Sequence, residues 1–381
     1  MKNILKILII NVIMNYIISL FRNTYIGDFN FEMNISFIFK SIVLLLLIFQ
    51  ILFTYYFSNL KINIKPIKIK HNVYKKYSIL VFLLIIINIF IVYKYKIGIA
   101  GKSIKNNYTF ILNLFGVDAF FYIYYLLTLK YDKRNIFFYF TLVFYIILKI
   151  LQGWTGDIYT IFLIGIYYFY KKHKKIINVE YIYLLTLLLG ARIYQYVYPL
   201  KNLIRLGILY PISYIDALYK LLGRLTPYYN LLFYFQNSNQ ITEYINMNLV
   251  RFSHIKDIMR RVIPSFIYRN KEFDTINSLF LKSIYGEQSL GSVDVTYIGN
   301  LIITLKYSFF EFIINIMLFI ILTSIIIYLL KRIDNECFKI YFFVIMNGLM
   351  VSGSFAVSYA LLIINLIVIN IIFKILNIKY I

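Results

Sequence analysis

Residues 35–58 read ISFIFKSIVLLLLIFQILFTYYFS, twenty-four positions with one charge, Lys40. A helix rises about 1.5 Å per residue, so this run can cross a hydrocarbon layer of about 30 Å. Similar runs recur at 3–21, 78–97, 108–129, 136–152, 155–170, 179–198, 300–330, 338–356 and 358–378. The stretch from 136 to 170 exceeds one crossing, and Gly153-Trp154-Thr155-Gly156-Asp157 supplies a break, because glycines favour one. The pattern predicts an all-α polytopic membrane protein with about ten transmembrane helices.

The composition agrees. Of 381 residues, 61% are hydrophobic and 15% charged, too little polar surface to cover a soluble domain of this length. Ile, Lys, Asn, Tyr and Phe are all abundant together, which fits an AT-biased genome, so the 39 tyrosines as a class carry no functional reading. The net charge of +24 lies mostly beside the apolar runs. Nucleic-acid binding would call for a basic face on a soluble domain, whereas charges beside spans act as topology signals facing anionic lipid. A single cysteine, Cys337, leaves no disulfide within the chain. Lys2 and Lys6 precede an apolar stretch as in a signal sequence, but Phe21-Arg22-Asn23 offers no small-residue cleavage site, so an uncleaved first helix is expected.

Alternate short loops differ sharply in basic content. One set, from Lys2 and Lys6 through 61–76, 130–134, 171–175, 331–339 and 374–379, holds twenty Lys and Arg, and the other set holds five. By the positive-inside rule the first set is cytoplasmic, both termini lie inside, and 192–296 forms one large extracytoplasmic segment. The chain thus divides into three regions: N-terminal spans at 1–191, the large segment at 192–296, and C-terminal spans at 297–381. The middle region holds four of the five prolines and amphipathic stretches at 212–225 and 241–263. Short helices on or near the membrane surface are expected there, with no separate soluble domain.

Familiar nucleotide and metal signatures are missing. Gly98-Ile99-Ala100-Gly101-Lys102-Ser103 resembles a phosphate loop, but Lys96 stands where its first glycine belongs. His-Glu-x-x-His and Gly-x-Ser-x-Gly do not occur. The informative signal is cationic. Twelve Lys and Arg between 192 and 296 face seven acids, and seven of the twelve are Arg in an otherwise Lys-rich chain. Guanidinium groups grip phosphate oxygens through paired hydrogen bonds, so a phosphate-bearing ligand is expected. The plainer alternative is a set of snorkelling residues and local ion pairs, such as Asp257 with Arg260 or Arg261.

This segment resembles the bacterial O-antigen and related oligosaccharide repeat-unit polymerases (the Wzy type). Arg260-Arg261-Val262-Ile263-Pro264-Ser265-Phe266-Ile267-Tyr268-Arg269-Asn270-Lys271 is similar to that family's I-P-R-x-(I/L)-(W/Y)-x-x-K stretch. Leu290-Gly291-Ser292-Val293-Asp294-Val295-Thr296-Tyr297-Ile298-Gly299 resembles its small-residue run, and Gly223-Arg224-Leu225-Thr226 its G-R-(I/L)-S/T element. The chain departs from the pattern at Ser265, where the family has Arg, and at Asn300, where a glutamate is common. The similarity of motifs covers about 220–305.

The resemblance implies substrates that are glycans carried on undecaprenyl pyrophosphate at the periplasmic face of a bacterial inner membrane. A growing chain would pass from its lipid pyrophosphate to a new repeat unit, with no cofactor, metal or nucleotide. Membrane lipid and a chain-length regulator protein are the implied partners; nucleic acid is not. Stabilising the departing pyrophosphate falls to Arg224, Arg260 and Arg261, with Arg192, Arg251 and Lys271 around them. For the base that deprotonates the acceptor hydroxyl, His254 has a suitable ordinary pKa and follows Arg251 by three residues on one helical face; Glu287 and Asp294 are alternatives. A flippase of lipid-linked sugars is the competing reading, and it would place charges inside the helical bundle. Asp118, Lys149 and Asp157 fall near helix ends or breaks, which favours an enzyme acting at the surface. A ligase passing the finished glycan to another lipid has similar chemistry.

Overall fold

The computed structural model describes residues 1–24, 32–67, 69–99, 116–153, 156–172, 178–247, 252–263, 282, 296–346 and 355–378, without the side chains of 179, 205, 206, 260 and 261. Apart from one isolated antiparallel bridge between Thr24 and Glu32, every element among them is helical. The chain opens with α1 (Lys2–Phe21), α2 (Phe37–Ser58) and α3 (His71–Tyr95), then three shorter helices, α4 (Val117–Lys130), α5 (Ile136–Gln152) and α6 (Gly156–Lys172). The long α7 (Val179–Leu206) leads into α8 (Tyr214–Leu225), α9 (Tyr228–Gln236), α10 (Ser238–Met247) and α11 (Ser253–Val262). Last come α12 (Thr296–Tyr307), α13 (Phe309–Ile333), α14 (Asn335–Ile340) with a π-helical turn (Tyr341–Met346), and α15 (Phe355–Ile378).

This is a membrane protein. Five helices, α1, α2, α3, α13 and α15, are long and apolar enough to cross a bilayer, and α5 is a shorter apolar helix. Their faces are arranged for lipid rather than water. Along α1, Ile13, Ile17 and Leu20 are exposed while Asn11, Asn15 and Ser19 are buried. Along α13, Met317, Ile320 and Ile321 are exposed while Glu311, Asn315 and Thr323 are buried. A helix facing water would reverse this, since hydrocarbon offers polar groups no partner and drives them inward.

The bundle has two unlike ends. At the basic end, polar contacts tie the Lys-rich loops together. Lys6 pairs with Glu180 at 3.1 Å, Lys172 with Asp132 at 2.8 Å, Lys171 with Glu336 and Lys130 with Asp334. Lys331 donates to the Leu60 carbonyl at 2.5 Å, and Ile67 N–H to the Arg332 carbonyl at 2.8 Å. Asp334 also caps α14, accepting from the Glu336 and Cys337 N–H groups. The opposite, elaborated end carries α8 to α11: α8 packs on α1 and α7, α9 on α1 and α2, α10 on α9 and α12, and α11 on α15.

Several boundaries differ from the hydropathy reading; the run expected at 108–129 is described only from Val117, and most of its start lies outside the described residues. α3 starts at His71, seven residues before the apolar run, because Val73, Tyr74 and Tyr77 already bury one face. α7 runs on to Leu206, through Pro199, which deprives only the Gln195 carbonyl of its helical donor. The run at 300–330 is two helices. Ser308 accepts from the Glu311 N–H at 3.3 Å, and the Glu311 carboxylate accepts from Tyr307 Oη at 2.9 Å and Phe252 N–H at 3.0 Å. That serine–glutamate start signal is a helix N-terminus inside an apolar stretch.

Candidate functional site

The α7–α8 hairpin gathers positive charge. Gly207 ends α7 in the left-handed region, at φ 74°, where glycine lacks the Cβ that other residues would strain. Ser213 then starts α8 by accepting from the Asp216 N–H at 3.1 Å and donating to Asp216 Oδ2 at 2.7 Å. Gln195 Nε2 on α7 donates to the Ile212 carbonyl at 3.2 Å and Tyr214 Oη to the Leu188 carbonyl at 3.2 Å, which closes the hairpin. Between 192 and 225 the chain has five Lys and Arg against Asp216 alone, and Asp216 is engaged at the cap.

Four cations of this hairpin, Arg192, Lys201, Lys220 and Arg224, lie near tyrosine rings. Arg224 stands 5.8 Å from the ring centre of Tyr194, and Arg192 stands 5.5 Å from that of Tyr196. Lys220 and Lys201 share Tyr198, at 5.1 and 5.7 Å. Arg22, just past α1, covers Tyr219 at 4.7 Å. A ring face holds a cation through its quadrupole and leaves its charge in place. Arg192 is exposed and also donates to Gln195 Oε1 at 2.7 Å, whereas Arg224 is half-buried.

A polar ladder on α1 fixes this hairpin to the bundle. Asn11 accepts from Tyr183 Oη and donates to Tyr159 Oη at 3.0 Å. One turn on, Asn15 donates to the Leu222 carbonyl at 3.2 Å, and its own carbonyl accepts from Tyr229 Oη at 3.2 Å. Another turn on, Ser19 Oγ meets Tyr228 Oη at 3.1 Å, and the buried Lys40 donates to the Ser19 carbonyl at 2.5 Å. The sequence reading passed over Arg22, Lys40, Lys201 and Lys220 as site residues. The four-residue spacing of Asn11, Asn15 and Ser19 in an apolar helix was the signal that could have located this face.

The other expected residues are less gathered. His254 lies on α11 against α15, its ring centre 4.9 Å from that of Phe355, away from the arginine–tyrosine face. It is buried, and its Nε2 has no partner among the described residues. Burial pushes its pKa down to about 4, so the imidazole is neutral at pH 7 and a weak base there. Arg260 and Arg261 fall in the last turn of α11, with side chains outside the described residues. Arg251, Lys271, Glu287 and Asp294 lie outside the described residues altogether.

A second charged group lies inside the bundle. Asp118 and Asp157 are the second residues of α4 and α6, and Lys149 is in the last turn of α5, so all three do sit near helix ends. Those ends meet in the interior. Lys149 Nζ is 2.5 Å from Asp118 Oδ1 and 3.0 Å from Asp157 Oδ2, with only 4% of its side chain exposed. Tyr145 Oη donates to Asp118 Oδ1 and Tyr122 Oη to Asp157 Oδ1, both at 2.8 Å. Among the described residues, no cluster of three or more His, Cys, Asp or Glu could hold a metal ion. Comparison with protein-family models, with curated proteins and with solved structures finds no match to the chain.

Proposed function

We propose that this protein is a polymerase that joins lipid-pyrophosphate-linked oligosaccharide repeat units at the outer face of a bacterial inner membrane. The observation that carries the reading is the arginine–tyrosine face of the α7–α8 hairpin, with Arg224 on Tyr194 and Arg192 on Tyr196. Guanidinium groups seated on rings can take up the charge of a departing pyrophosphate without a metal, and the tyrosines offer flat surfaces beside them for sugar rings. The topology that goes with this function has about ten crossings, the basic end in the cytoplasm and the elaborated end in the periplasm. The resemblance of 220–305 to the repeat-unit polymerases supports the same substrates. Arg260, Arg261, Arg251 and Lys271 then complete the phosphate site, and the base comes from His254, Glu287 or Asp294. A chain-length regulator is the expected partner.

One observation favours a second reading. The ion group of Asp118, Lys149 and Asp157 puts charge inside the bundle, as a flippase of lipid-linked glycans would. A gel ladder of surface glycan separates the two. A deletion strain that keeps a single capped repeat unit, with wild type restoring the ladder, is the polymerase outcome. Arg224→Ala is then expected to express normally and to cut the ladder above one unit by about tenfold or more. Loss of even the single unit on deletion would replace the polymerase with a flippase or ligase.

A further inference from the structure

Arg192 and Arg224 share the α7–α8 hairpin but not the sides of α7. Each residue turns about 100° around a helix, so positions three, four, seven, eight or eleven apart fall on one side. Leu185, Leu188, Leu189, Tyr196, Leu200 and Leu203 stand at those spacings from Arg192, and all are exposed, as is Arg192 itself. Tyr183, Tyr194 and Lys201, on the opposite side, are buried. Arg192 is thus a cation at the middle of an exposed apolar stripe. The stripe matches the lipid-facing sides of α1 and α13, apolar outward and polar inward.

Its head group is held in place. Arg192 Nη1 donates to Gln195 Oε1 at 2.7 Å, and Gln195 Nε2 is itself tied to the Ile212 carbonyl at 3.2 Å. The guanidinium also stands 5.5 Å from the ring centre of Tyr196. Gln195 and Tyr196 lie about one turn farther along α7, so the head leans toward the elaborated end. The Lys6–Glu180 pair fixes the other end of α7. Gln195 is about 22 Å along the axis beyond Glu180, near the outer edge of a hydrocarbon layer about 30 Å thick. Both neighbours of the guanidinium are neutral, and among the described residues no carboxylate pairs with it. Gln195 engages one nitrogen of a planar group that has five N–H donors. A charge facing hydrocarbon without an anion is costly, and at headgroup level the anion on the lipid side is a phosphate. A symmetric dimer through the stripe would instead bring Arg192 toward its own copy, like charge near like charge.

We propose that Arg192, oriented by Gln195 and Tyr196, binds the phosphate of an anionic phospholipid in the outer leaflet. The guanidinium fork takes two phosphate oxygens, and the acyl chains run inward along Leu189, Leu188 and Leu185. The site requires α7 to cross the bilayer as in the topology proposed above, and it is independent of the polymerase chemistry.

Cys337 is the chain's single cysteine, so Leu189→Cys in a Cys337→Ser background places a bimane fluorophore one turn inward of Arg192. The labelled protein is reconstituted in phosphatidylcholine nanodiscs. Quenching is then measured at rising mole fractions of chain-spin-labelled phosphatidylglycerol or of chain-spin-labelled phosphatidylcholine. With Arg192 present, phosphatidylglycerol is expected to reach half-quenching at a mole fraction roughly fivefold lower than phosphatidylcholine does. With Arg192→Gln the two lipids are expected to quench alike. Equal quenching with Arg192 in place overturns the phosphate site and leaves α7 facing lipid. A preference that survives Arg192→Gln overturns it too. Quenching by neither lipid would set the stripe against protein, and would overturn the site together with the lipid-facing placement of α7.

Discussion

His254 ties an acid sensitivity to a single ring. Its ordinary pKa of 6.5 falls to about 4 in the seam against Phe355, because burial penalises the imidazolium. As pH drops below 6.5 the unfolded chain takes up the proton while the folded chain does not, so the stability is present above 6.5 and lost as pH falls toward 4. The loss amounts to about 3 kcal/mol and levels off below 4. The melting midpoint of His254→Gln should therefore fall less steeply than that of wild type between pH 6.5 and 4. Equal slopes would mean that His254 is not held in this seam. Its neutrality bears on the proposed chemistry too, since an imidazole with this pKa is no stronger a base at pH 7 than an ordinary carboxylate.

Among the elements, the entry of α4 rests on a close approach between backbone and side chain. A Cβ on Gly116 would meet Asn365 Nδ2 at 2.8 Å, so Gly116→Ala must push the amide aside and break its hydrogen bond with the Gly116 N–H. About 1–2 kcal/mol of destabilisation is expected. Asn365→Ala alone should cost about 0.6–1 kcal/mol. The double variant should cost less than the two summed, because the clash disappears with the amide, and thermal unfolding of the four proteins would read that coupling. Strict additivity would disprove the contact. None of this was legible in the sequence, which carries no record that residues 116 and 365 meet. What hydropathy could read it read well: α1, α2 and α5 end within two residues of the apolar runs, because desolvation alone sets those limits. It missed the break at Ser308, where a capping serine and glutamate are hidden among apolar neighbours. At the site it identified Arg192 and Arg224 by charge, but their tyrosine seats are set by how α7 and α8 cross. Asp118, Lys149 and Asp157 were placed at helix ends, yet only the packing of those ends makes them one group.

For the whole molecule, orientation is the property to test, and the lone Cys337 makes it accessible. Cys337 is free and buried, so a Cys337→Ser background gives a clean start. Asn239 at the elaborated end and Asn178 at the basic end are both exposed. A membrane-impermeant maleimide should label Asn239→Cys in intact cells, and Asn178→Cys only after permeabilisation; the reverse pattern would invert the molecule and remove the periplasmic site. The modest length of α5 has a consequence of its own. Its lipid-facing side, with Ile136, Phe140, Val143 and Ile147 exposed, spans 17 residues, or about 25 Å. In the proposed ten-span topology, a hydrocarbon layer of about 30 Å pinches by roughly 5 Å to meet it. Thickness matching would then favour thin regions of membrane as this protein's lateral address, and the same dimple draws lipid headgroups and water toward Lys149 from the side.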